Sequence, residues 1–409
     1  MNSKKSTLTR RNFLRSAMIA PVGVALAPNF SASAENAPKS SAAGLPPVPT
    51  RKLGRNGPEV SMLSFGGDIP AYSPEHLDLG WSMGIRYFDT ASMYGGGNEE
   101  PKVAQWLTKY PERRKDLFLV SKDHPREGPE QLLEMIDRRL ERCKTSYLDL
   151  YFIHEMNVRL YGQDSLNWPK SDAFKKVCEK LKNSGKVKMV GFSCHDAMAP
   201  QYLAAAAQGG FVDAIMVKYT PFFAKGDDLD KGLDACHQAG IGLIAMKTLR
   251  NAVDAPKRLP EFDKLGLTTH QALLQACWSD PRISAVCNRM GNVDHIQSSV
   301  GAVRAYKSPL KVAQMESLRE MLLASRHAMC PGCPSCNQRG AELDFAFGDI
   351  SRFVMYYEQD GDLQAREKYQ QLSAAHRDAS GVDLAALRDA CQFKTDYPEI
   401  IRRAERYFA

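Results

Sequence analysis

The sequence contains no apolar run long enough to cross a membrane, and it carries little net charge once its first residues are set aside. The apolar stretch at residues 18–27, MIAPVGVALA, is about half the length of a membrane-spanning helix, so no stable span is expected. Five of the seven net positive charges fall within residues 1–34, which leaves +2 for the rest of the chain. A charge this small gives no electrostatic support for binding nucleic acid.

The amino terminus has the order of features found in an export signal. Arg10 and Arg11 precede the apolar stretch, and Ala-Ser-Ala at residues 32–34 offers a cleavage pattern of small residues. Residues 1–34 resemble a twin-arginine signal peptide, which predicts recognition by the twin-arginine translocase, export in the folded state and a periplasmic or otherwise extracytoplasmic location. The alternative is a basic disordered tail that precedes an apolar run. Residues 35–49, rich in Ala, Ser and Pro, indicate a flexible linker.

No GxGxxG fingerprint follows a first strand, which argues against an open, doubly wound dinucleotide-binding sheet. Eight short apolar runs instead alternate with amphipathic segments, after a hairpin predicted at Asn56–Gly57. This alternation predicts an α/β fold: a (β/α)8 TIM barrel over residues 50–312, with a smaller extension over residues 313–409. The predicted strands are residues 60–67, 84–90, 117–122, 148–154, 187–193, 214–219, 242–248 and 283–289.

Polar side chains lie at the ends of successive predicted strands. Asp89 closes RYFD, Lys122 lies in LVSKDH, and His154 follows LDLYFI. Tyr94 stands on the glycine-rich loop after Asp89. Because the carboxyl ends of barrel strands share one face, we expect these four side chains to form one site there. Taken singly, each could instead be a structural group with its hydrogen bonds satisfied.

These four residues, with the stretches LERCKTSYLDLYFIHE and SGKVKMVGFSCHD, resemble the aldo-keto reductase superfamily over residues 51 to about 305. The resemblance implies an oxidoreductase that interconverts a small carbonyl and an alcohol. Tyr94 would then be the general acid, and His154 would orient the carbonyl oxygen. Lys122 would favour the Tyr94 phenolate, and Asp89 would hold Lys122 in place. The hydride must come from a cofactor, because no side chain supplies one.

The resemblance also implies a nicotinamide cofactor, NADP(H) in preference to NAD(H), although the match is incomplete at the positions expected to bind it. Cys194 stands where the family usually has an asparagine, and Met216 stands where a glutamine is common. Gly291 replaces an arginine that often pairs with the 2′-phosphate. An alternative is a barrel that keeps the four polar residues but has lost cofactor affinity. The residues expected to contact the cofactor are Ser193, Met246, Arg289 and Gln297.

Of the ten cysteines, six precede a closely spaced run of three, and Cys391 follows that run. Cys330, Cys333 and Cys336 form a C-x2-C-x2-C run in a loop rich in Pro and Gly, and no second C-x2-C unit follows to complete a zinc ribbon. A ferredoxin-type run would have its fourth cysteine at position 340, where the chain has Gly340. The cysteines before this run are interpreted as small buried residues: Cys143, Cys178, Cys194, Cys236, Cys277 and Cys287.

The carboxyl-terminal region resembles the ferredoxin-like extension of some aldo-keto reductases, whose second cysteine run ends at the position of Cys391. Relative to that pattern, cysteines are missing at positions 340, 381, 384 and 387, and all four would have served the same cluster. The resemblance therefore predicts a single [4Fe-4S] cluster in a helical extension. Its ligands would be Cys330, Cys333, Cys336 and Cys391. A structural disulfide or a zinc site remains the alternative.

The leading hypothesis is an exported aldo-keto reductase with one [4Fe-4S] cluster, which exchanges electrons either through a prebound cofactor or with a redox partner protein. The alternative is an electron-transfer or redox-partner protein whose barrel is mainly a scaffold. A third hypothesis is a ligand-binding barrel in which the four polar residues are relics. In the extension, residues 349–376 show helical periodicity, with Tyr356, Tyr357 and Tyr369 expected to pack in a core.

Overall fold

The protein is described by a computed structural model. It describes residues 44–69, 72–222, 227–248, 254–325, 329–330, 345–391, 393 and 395–409. The predicted export signal and most of the predicted linker lie outside the described residues, as do Cys333 and Cys336. In the part of the chain that is described, no helix is both long enough and apolar enough to span a bilayer.

Eight parallel strands form a closed barrel, which confirms the predicted fold class. They follow one another around the barrel in chain order, and the last pairs with the first, so the barrel has no unpaired edge. Each strand overlaps its predicted run. The strands are β3 (Leu63–Gly66), β4 (Tyr87–Asp89), β5 (Phe118–Asp123), β6 (Leu148–Ile153), β7 (Val187–Cys194), β8 (Ala214–Lys218), β9 (Gly242–Met246) and β10 (Ile283–Arg289).

The first two strands form the hairpin that was predicted at Asn56–Gly57. β1 (Thr50–Lys52) pairs antiparallel with β2 (Glu59–Ser61). Leu53 and Val60 are buried in one apolar cluster with side chains at the starts of barrel strands, among them Tyr87, Phe118 and Ala214. The hairpin therefore covers the amino-terminal end of the barrel, opposite the face predicted to carry the site.

Helices connect the strands and cover the outside of the barrel. Local sequence signals explain their ends: helix α9 begins with a capping box, in which the Gln271 amide donates to Thr268 Oγ1 and the Thr268 amide donates to Gln271 Oε1. The described barrel helices are α1 (Pro74–Ser82), α2 (Glu99–Lys109), α3 (Leu132–Cys143), α4 (Val158–Tyr161), α5 (Asp172–Asn183), α6 (Ala199–Gly209), α7 (Asp228–Ala239), α8 (Pro260–Asp263), α9 (Thr269–Trp278), α10 (Val293–Ala305) and α11 (Val312–Ala324).

The extension after the barrel is helical and belongs to the same compact unit, Ala43–Ala409. The predicted helical stretch 349–376 is divided, because Gly361 adopts a left-handed φ of 64° and ends the first helix. Tyr356 and Tyr369 are buried in the extension's core, and Tyr357 packs against it. The described helices of the extension are α12 (Phe347–Asp360), α13 (Gln364–Gln370), α14 (Ala374–Arg377), α15 (Leu384–Ala390) and α16 (Tyr397–Phe408).

Candidate active site

A cavity of about 800 Å³ lies at the carboxyl end of the barrel. This volume falls within the usual range for small-molecule and cofactor sites. The strand ends supply its inner part, and the extension covers it through Arg352, Phe353 and Tyr356 of α12. The four polar residues predicted to form one site all line it: Asp89, Tyr94, Lys122 and His154.

Lys122 joins the other groups at the base of this cavity. Its side chain is fully buried, and its Nζ donates to Asp89 Oδ2 at 2.7 Å and to the Thr90 carbonyl at 2.9 Å. The same Nζ lies 3.3 Å from the Tyr94 hydroxyl. The structure therefore brings a buried ion pair directly beneath a tyrosine hydroxyl, in the arrangement that the strand-end pattern predicted.

The loop that carries Tyr94 forms a tight turn that depends on two glycines. Tyr94–Gly97 forms a 3-10 turn, in which Gly95 and Gly96 have φ values of 58° and 65°. Side chains with a Cβ rarely adopt this left-handed conformation, whereas glycine does so freely. Tyr94 therefore begins a tight turn five residues after Asp89, and its hydroxyl lies 3.3 Å from Lys122 Nζ.

Burial sets the protonation of Tyr94 and His154. Burial, followed by the negative charges of Asp89 and Asp68, raises the pKa of Tyr94 well above its usual value, so the phenol keeps its proton at neutral pH. Burial and these carboxylates therefore oppose the effect expected of Lys122, whose Nζ lies 3.3 Å from the hydroxyl and would favour the phenolate. Burial and neighbouring His124 lower the pKa of His154 well below its ordinary value, so His154 is neutral.

His154 lies edge-on to Tyr94, with ring centroids 5.3 Å apart and planes at 78°. Its Nδ1 is buried and has no hydrogen-bond partner among the described residues. A neutral imidazole that adjoins the phenol can donate to a carbonyl oxygen without competing as an acid. Tyr94 and His154 are therefore placed to bind the same oxygen atom of a ligand.

Three of the four predicted cofactor residues line the cavity. Ser193 Oγ accepts from the Glu155 amide at 3.0 Å, Met246 lies at the end of β9, and the Arg289 guanidinium lies 5.0 Å from the Tyr356 ring centre. Gln297 is exposed on α10 and is not among the residues that line the cavity. Its assignment stays a prediction, as do the roles of the other three.

The polar groups that line the cavity indicate which kind of ligand it can bind. Asp89, Tyr94, Lys122 and His154 are called the tetrad below. Ser193 supplies a hydroxyl to the same cavity, and Lys247 and Arg289 place cations in its wall near Tyr356. A hydroxyl suits a nicotinamide amide, and cations suit phosphates. The cavity therefore fits a nicotinamide dinucleotide, although Met216 and Met246 give its inner wall apolar side chains.

Comparison with known proteins agrees with this geometry. The sequence profile of the Aldo/keto reductase family matches residues 70–280, just over half of the chain. This chain belongs to the aldo/keto reductase family. Consistent with its family and its tetrad, it is an oxidoreductase. The family match ends before the extension.

Individual relatives cover mainly the barrel. Methylglyoxal reductase YeaE of Escherichia coli is 31% identical over 59% of this chain and 82% of its own length. Aldo-keto reductase yakc [NADP(+)] of Schizosaccharomyces pombe is 27% identical over 53% of this chain and 67% of its own. An aldo-keto reductase structure from Klebsiella pneumoniae in complex with NADPH has a TM-score of 0.53 at 22% identity, and the match covers 66% of this chain and 95% of that one.

The aldo/keto reductase barrel carries further polar residues beside the tetrad that the sequence analysis did not single out. His124 stacks on His154 with ring centroids 4.6 Å apart, and His195 Nε2 lies 2.9 Å from Glu155 Oε1. His124, Glu155 and His195 each lie one or two positions after a predicted residue, in the stretches KDH, HE and SCH. This closeness in the chain is the signal that could have identified them. Arg352 has no such signal, because it lies in the distant extension.

Strained backbone also marks the site of this aldo/keto reductase. Among the described residues, four that are not glycine have positive φ, and three of them line the cavity: Asp68 at 60°, Glu155 at 54° and Lys247 at 58°. Such conformations persist only where the surrounding contacts hold them, and they concentrate at functional sites. The fourth, Lys144, is an ordinary helix cap.

Two of the four predicted cluster ligands can be located. Cys330 and Cys391 are buried in one small apolar cluster with Leu387, Phe393 and Tyr397. The Tyr397 hydroxyl donates to Cys330 Sγ at 3.4 Å. In the described part of the chain, no group of three or more His, Cys, Asp or Glu side chains could hold a metal, and Cys333 and Cys336 lie outside it.

Proposed function

We propose that this aldo/keto reductase uses NADP(H) to interconvert a small carbonyl compound and its alcohol. The observation that carries the proposal is the Tyr94 hydroxyl, 3.3 Å from Lys122 Nζ and beside a neutral His154 in a cavity that fits a dinucleotide. Relatives named for methylglyoxal and for NADP(+) support the same chemistry.

The four residues of the tetrad have different roles in the reduction. Bound NADPH supplies the hydride. His154 donates a hydrogen bond to the carbonyl oxygen and orients it, while Tyr94 transfers its proton to that oxygen as negative charge develops there. Lys122 stabilises the phenolate that remains, and Asp89 fixes the position of the Lys122 ammonium. Because its pKa is raised, Tyr94 holds its proton at neutral pH, which is the form that a general acid requires.

Tyr94→Phe tests this mechanism. Loss of the general acid is expected to lower kcat/KM for methylglyoxal and NADPH by at least about a hundredfold. The assay follows the loss of NADPH absorbance over a panel of small aldehydes. Tyr87→Phe is the matched control, because Tyr87 is buried in the barrel but does not line the cavity, and it should keep wild-type activity. Undiminished turnover by Tyr94→Phe would exclude Tyr94 as the proton donor.

We also propose that the extension binds one [4Fe-4S] cluster through Cys330, Cys333, Cys336 and Cys391. The burial of Cys330 and Cys391 in the same small cluster supports this assignment. We propose export by the twin-arginine translocase to an extracytoplasmic location, because that route carries folded proteins and accepts a cluster assembled before transport. Replacing Arg10 and Arg11 by Lys should retain the protein in the cytoplasm, as measured by cell fractionation. Wild-type protein in the cytoplasmic fraction would contradict the export proposal.

A second candidate function is electron transfer with the barrel as scaffold. It is favoured by the extension, which covers the cavity that a freely exchanging cofactor would enter. Protein purified anaerobically and then denatured distinguishes the two. About four irons per chain with released NADP(H) supports a reductase that holds its cofactor. Iron without dinucleotide supports electron transfer with a redox partner protein, and protein without iron contradicts the cluster.

A further inference from the structure

The extension delivers a buried cation into the barrel's site. Arg352 on α12 is only 7% exposed and lines the cavity. Its Nη2 pairs with Asp349 Oδ1 on the same helix at 2.7 Å. Its Nη1 lies 2.7 Å from His195 Nε2 and 2.9 Å from His195 Nδ1. The same Nη1 lies 4.0 Å from Glu155 Oε1. Three elements of the fold therefore converge at this guanidinium.

Glu155 and His195 form the pair that Arg352 contacts. Burial and the cations Lys247 and Arg352 lower the pKa of His195 to about 3, so its imidazole is neutral. Arg352 Nη1 lies within hydrogen-bond distance of both ring nitrogens of His195, and His195 Nε2 lies 2.9 Å from Glu155 Oε1. Burial opposes ionisation of Glu155, but its imidazole partners and Arg352 outweigh burial and hold its pKa well below the usual value.

Glu155 links this network to the tetrad. It follows His154 directly in the chain and holds a left-handed φ of 54°. Its amide donates to Ser193 Oγ, and its carboxylate accepts from His195 and lies 3.8 Å from His124 Nε2. His124 in turn stacks on the His154 ring. The contacts that hold Glu155 in this conformation therefore also determine where the His154 imidazole lies.

We propose that Arg352 is a positioning residue of the active site, supplied by the extension. It holds the Glu155–His195 pair in place and thereby keeps His154 against Tyr94. This inference rests on the proposed carbonyl chemistry, and it adds that the barrel alone does not complete the site. It also gives the extension a role beyond any metal it binds.

The anchoring of α12 supports this role. Asp349 forms an ion pair with Arg159 of the barrel helix α4. Ser351, next to Arg352, accepts a hydrogen bond from the Cys330 amide at 3.1 Å. The Cys330 carbonyl accepts from Lys218 at the end of β8 at 2.7 Å. The helix that carries Arg352 is thus fixed to the barrel at two points, one of which passes through a predicted cluster ligand.

The test compares Arg352→Ala with Arg403→Ala. Arg403 pairs with Glu358 inside the extension and does not line the cavity, so it is a matched control. With methylglyoxal and NADPH, Arg352→Ala should lower kcat by about ten- to a hundredfold, because the His154 imidazole loses its alignment, while KM changes less. Arg352→Lys, which keeps the charge, should recover part of kcat. Arg403→Ala should match the wild type.

The pH profile separates positioning from a general structural role. Removal of Arg352 takes a cation from Glu155 and raises its pKa, so kcat should begin to fall at a higher pH on acidification than in the wild type. If Arg352 only stabilised the fold, its removal would lower the amount of folded enzyme but would leave the pH at which kcat falls unchanged. The charged and titratable groups that act on Glu155 are His124 after β5, Cys194 and His195 at the end of β7, Tyr161 from α4, Arg352 and Asp349 from α12, and Tyr94 and His154 of the tetrad. Lys247 acts on His195.

Amide hydrogen exchange tests the inference without any substrate. Arg352→Ala should exchange faster at residues 154–157 and 193–196 than the wild type and Arg403→Ala. If the wild type reduces no carbonyl, the proposed function fails, and exchange still decides whether Arg352 positions these residues. If Arg352→Ala does not fold, Arg352→Gln serves the same comparison. Wild-type kcat, pH profile and exchange in a folded variant would overturn the inference.

Discussion

Lys122→Met offers the sharpest test of the ion pair beneath Tyr94. The Lys122 side chain is fully buried, Asp89 is 2% exposed, and the two are joined at 2.7 Å. Methionine keeps the approximate length of lysine but has no charge, so Asp89 loses its cation inside the protein. The substitution thus isolates the electrostatic contribution of Lys122 from its packing.

The expected cost follows from that burial. Removing one partner of a buried ion pair typically costs about 3–5 kcal/mol, because the other charge is left uncompensated. We expect the free energy of unfolding to fall by about 3 kcal/mol at neutral pH. Burial already raises the pKa of Asp89, and Lys122 opposes that rise. Without Lys122, the pKa of Asp89 rises further. A carboxyl with a raised pKa in the folded state destabilises the fold only at pH values above its unfolded pKa. The loss of stability in the variant should therefore shrink on acidification.

Urea unfolding followed by tryptophan fluorescence measures this effect in the barrel, where all four tryptophans lie: Trp81, Trp106, Trp168 and Trp278. The double variant Lys122→Met/Asp89→Leu removes both charges and should return to within about 1 kcal/mol of the wild type. A single variant as stable as the wild type at neutral pH, or a double variant no better than the single one, would refute the reasoning.

Two further predictions concern groups outside the tetrad. Glu99 is fully buried, and burial raises its pKa to about 8, so wild-type stability should fall by about 1.4 kcal/mol per pH unit between its unfolded pKa and pH 8. Glu99→Gln should remove this slope in urea unfolding, and equal slopes would contradict it. Cys391→Ser should lose the iron of anaerobically purified protein, while Cys178→Ser, a buried barrel thiol, should retain it; equal iron contents would argue against Cys391 as a ligand.

The barrel could be predicted from the sequence because its signals are local. Each strand is a short apolar run, and the strands pair in chain order, so neighbours in sequence are neighbours in space. The same logic brought the tetrad together: Asp89, Lys122 and His154 lie on or directly after three consecutive strands, and Tyr94 lies on the first loop. The sequence pattern did not predict the helix end at Gly361. Helical periodicity continues on both sides of this residue, so a single left-handed glycine does not change the pattern.

The protonation state of Tyr94 could not be predicted from the sequence. The expectation that Lys122 would favour the Tyr94 phenolate considered one contact, whereas burial and the nearby carboxylates Asp89 and Asp68 act in the opposite direction. The depth of burial and the distance to every charge are properties of the packed barrel. A sequence therefore identifies the titratable groups, but their charge at neutral pH follows from the folded environment.

The sequence by itself determined the barrel, the tetrad and the cysteine spacing, since each depends on residues close together in the chain or on consecutive parallel strands. Tertiary structure alone decided that α12 lies over the cavity and that Arg352 reaches His195, a residue 157 positions earlier. No periodicity couples residues so far apart. Their contact arises only because the extension packs on the open face of the barrel, where buried charges must find partners from whichever element covers them.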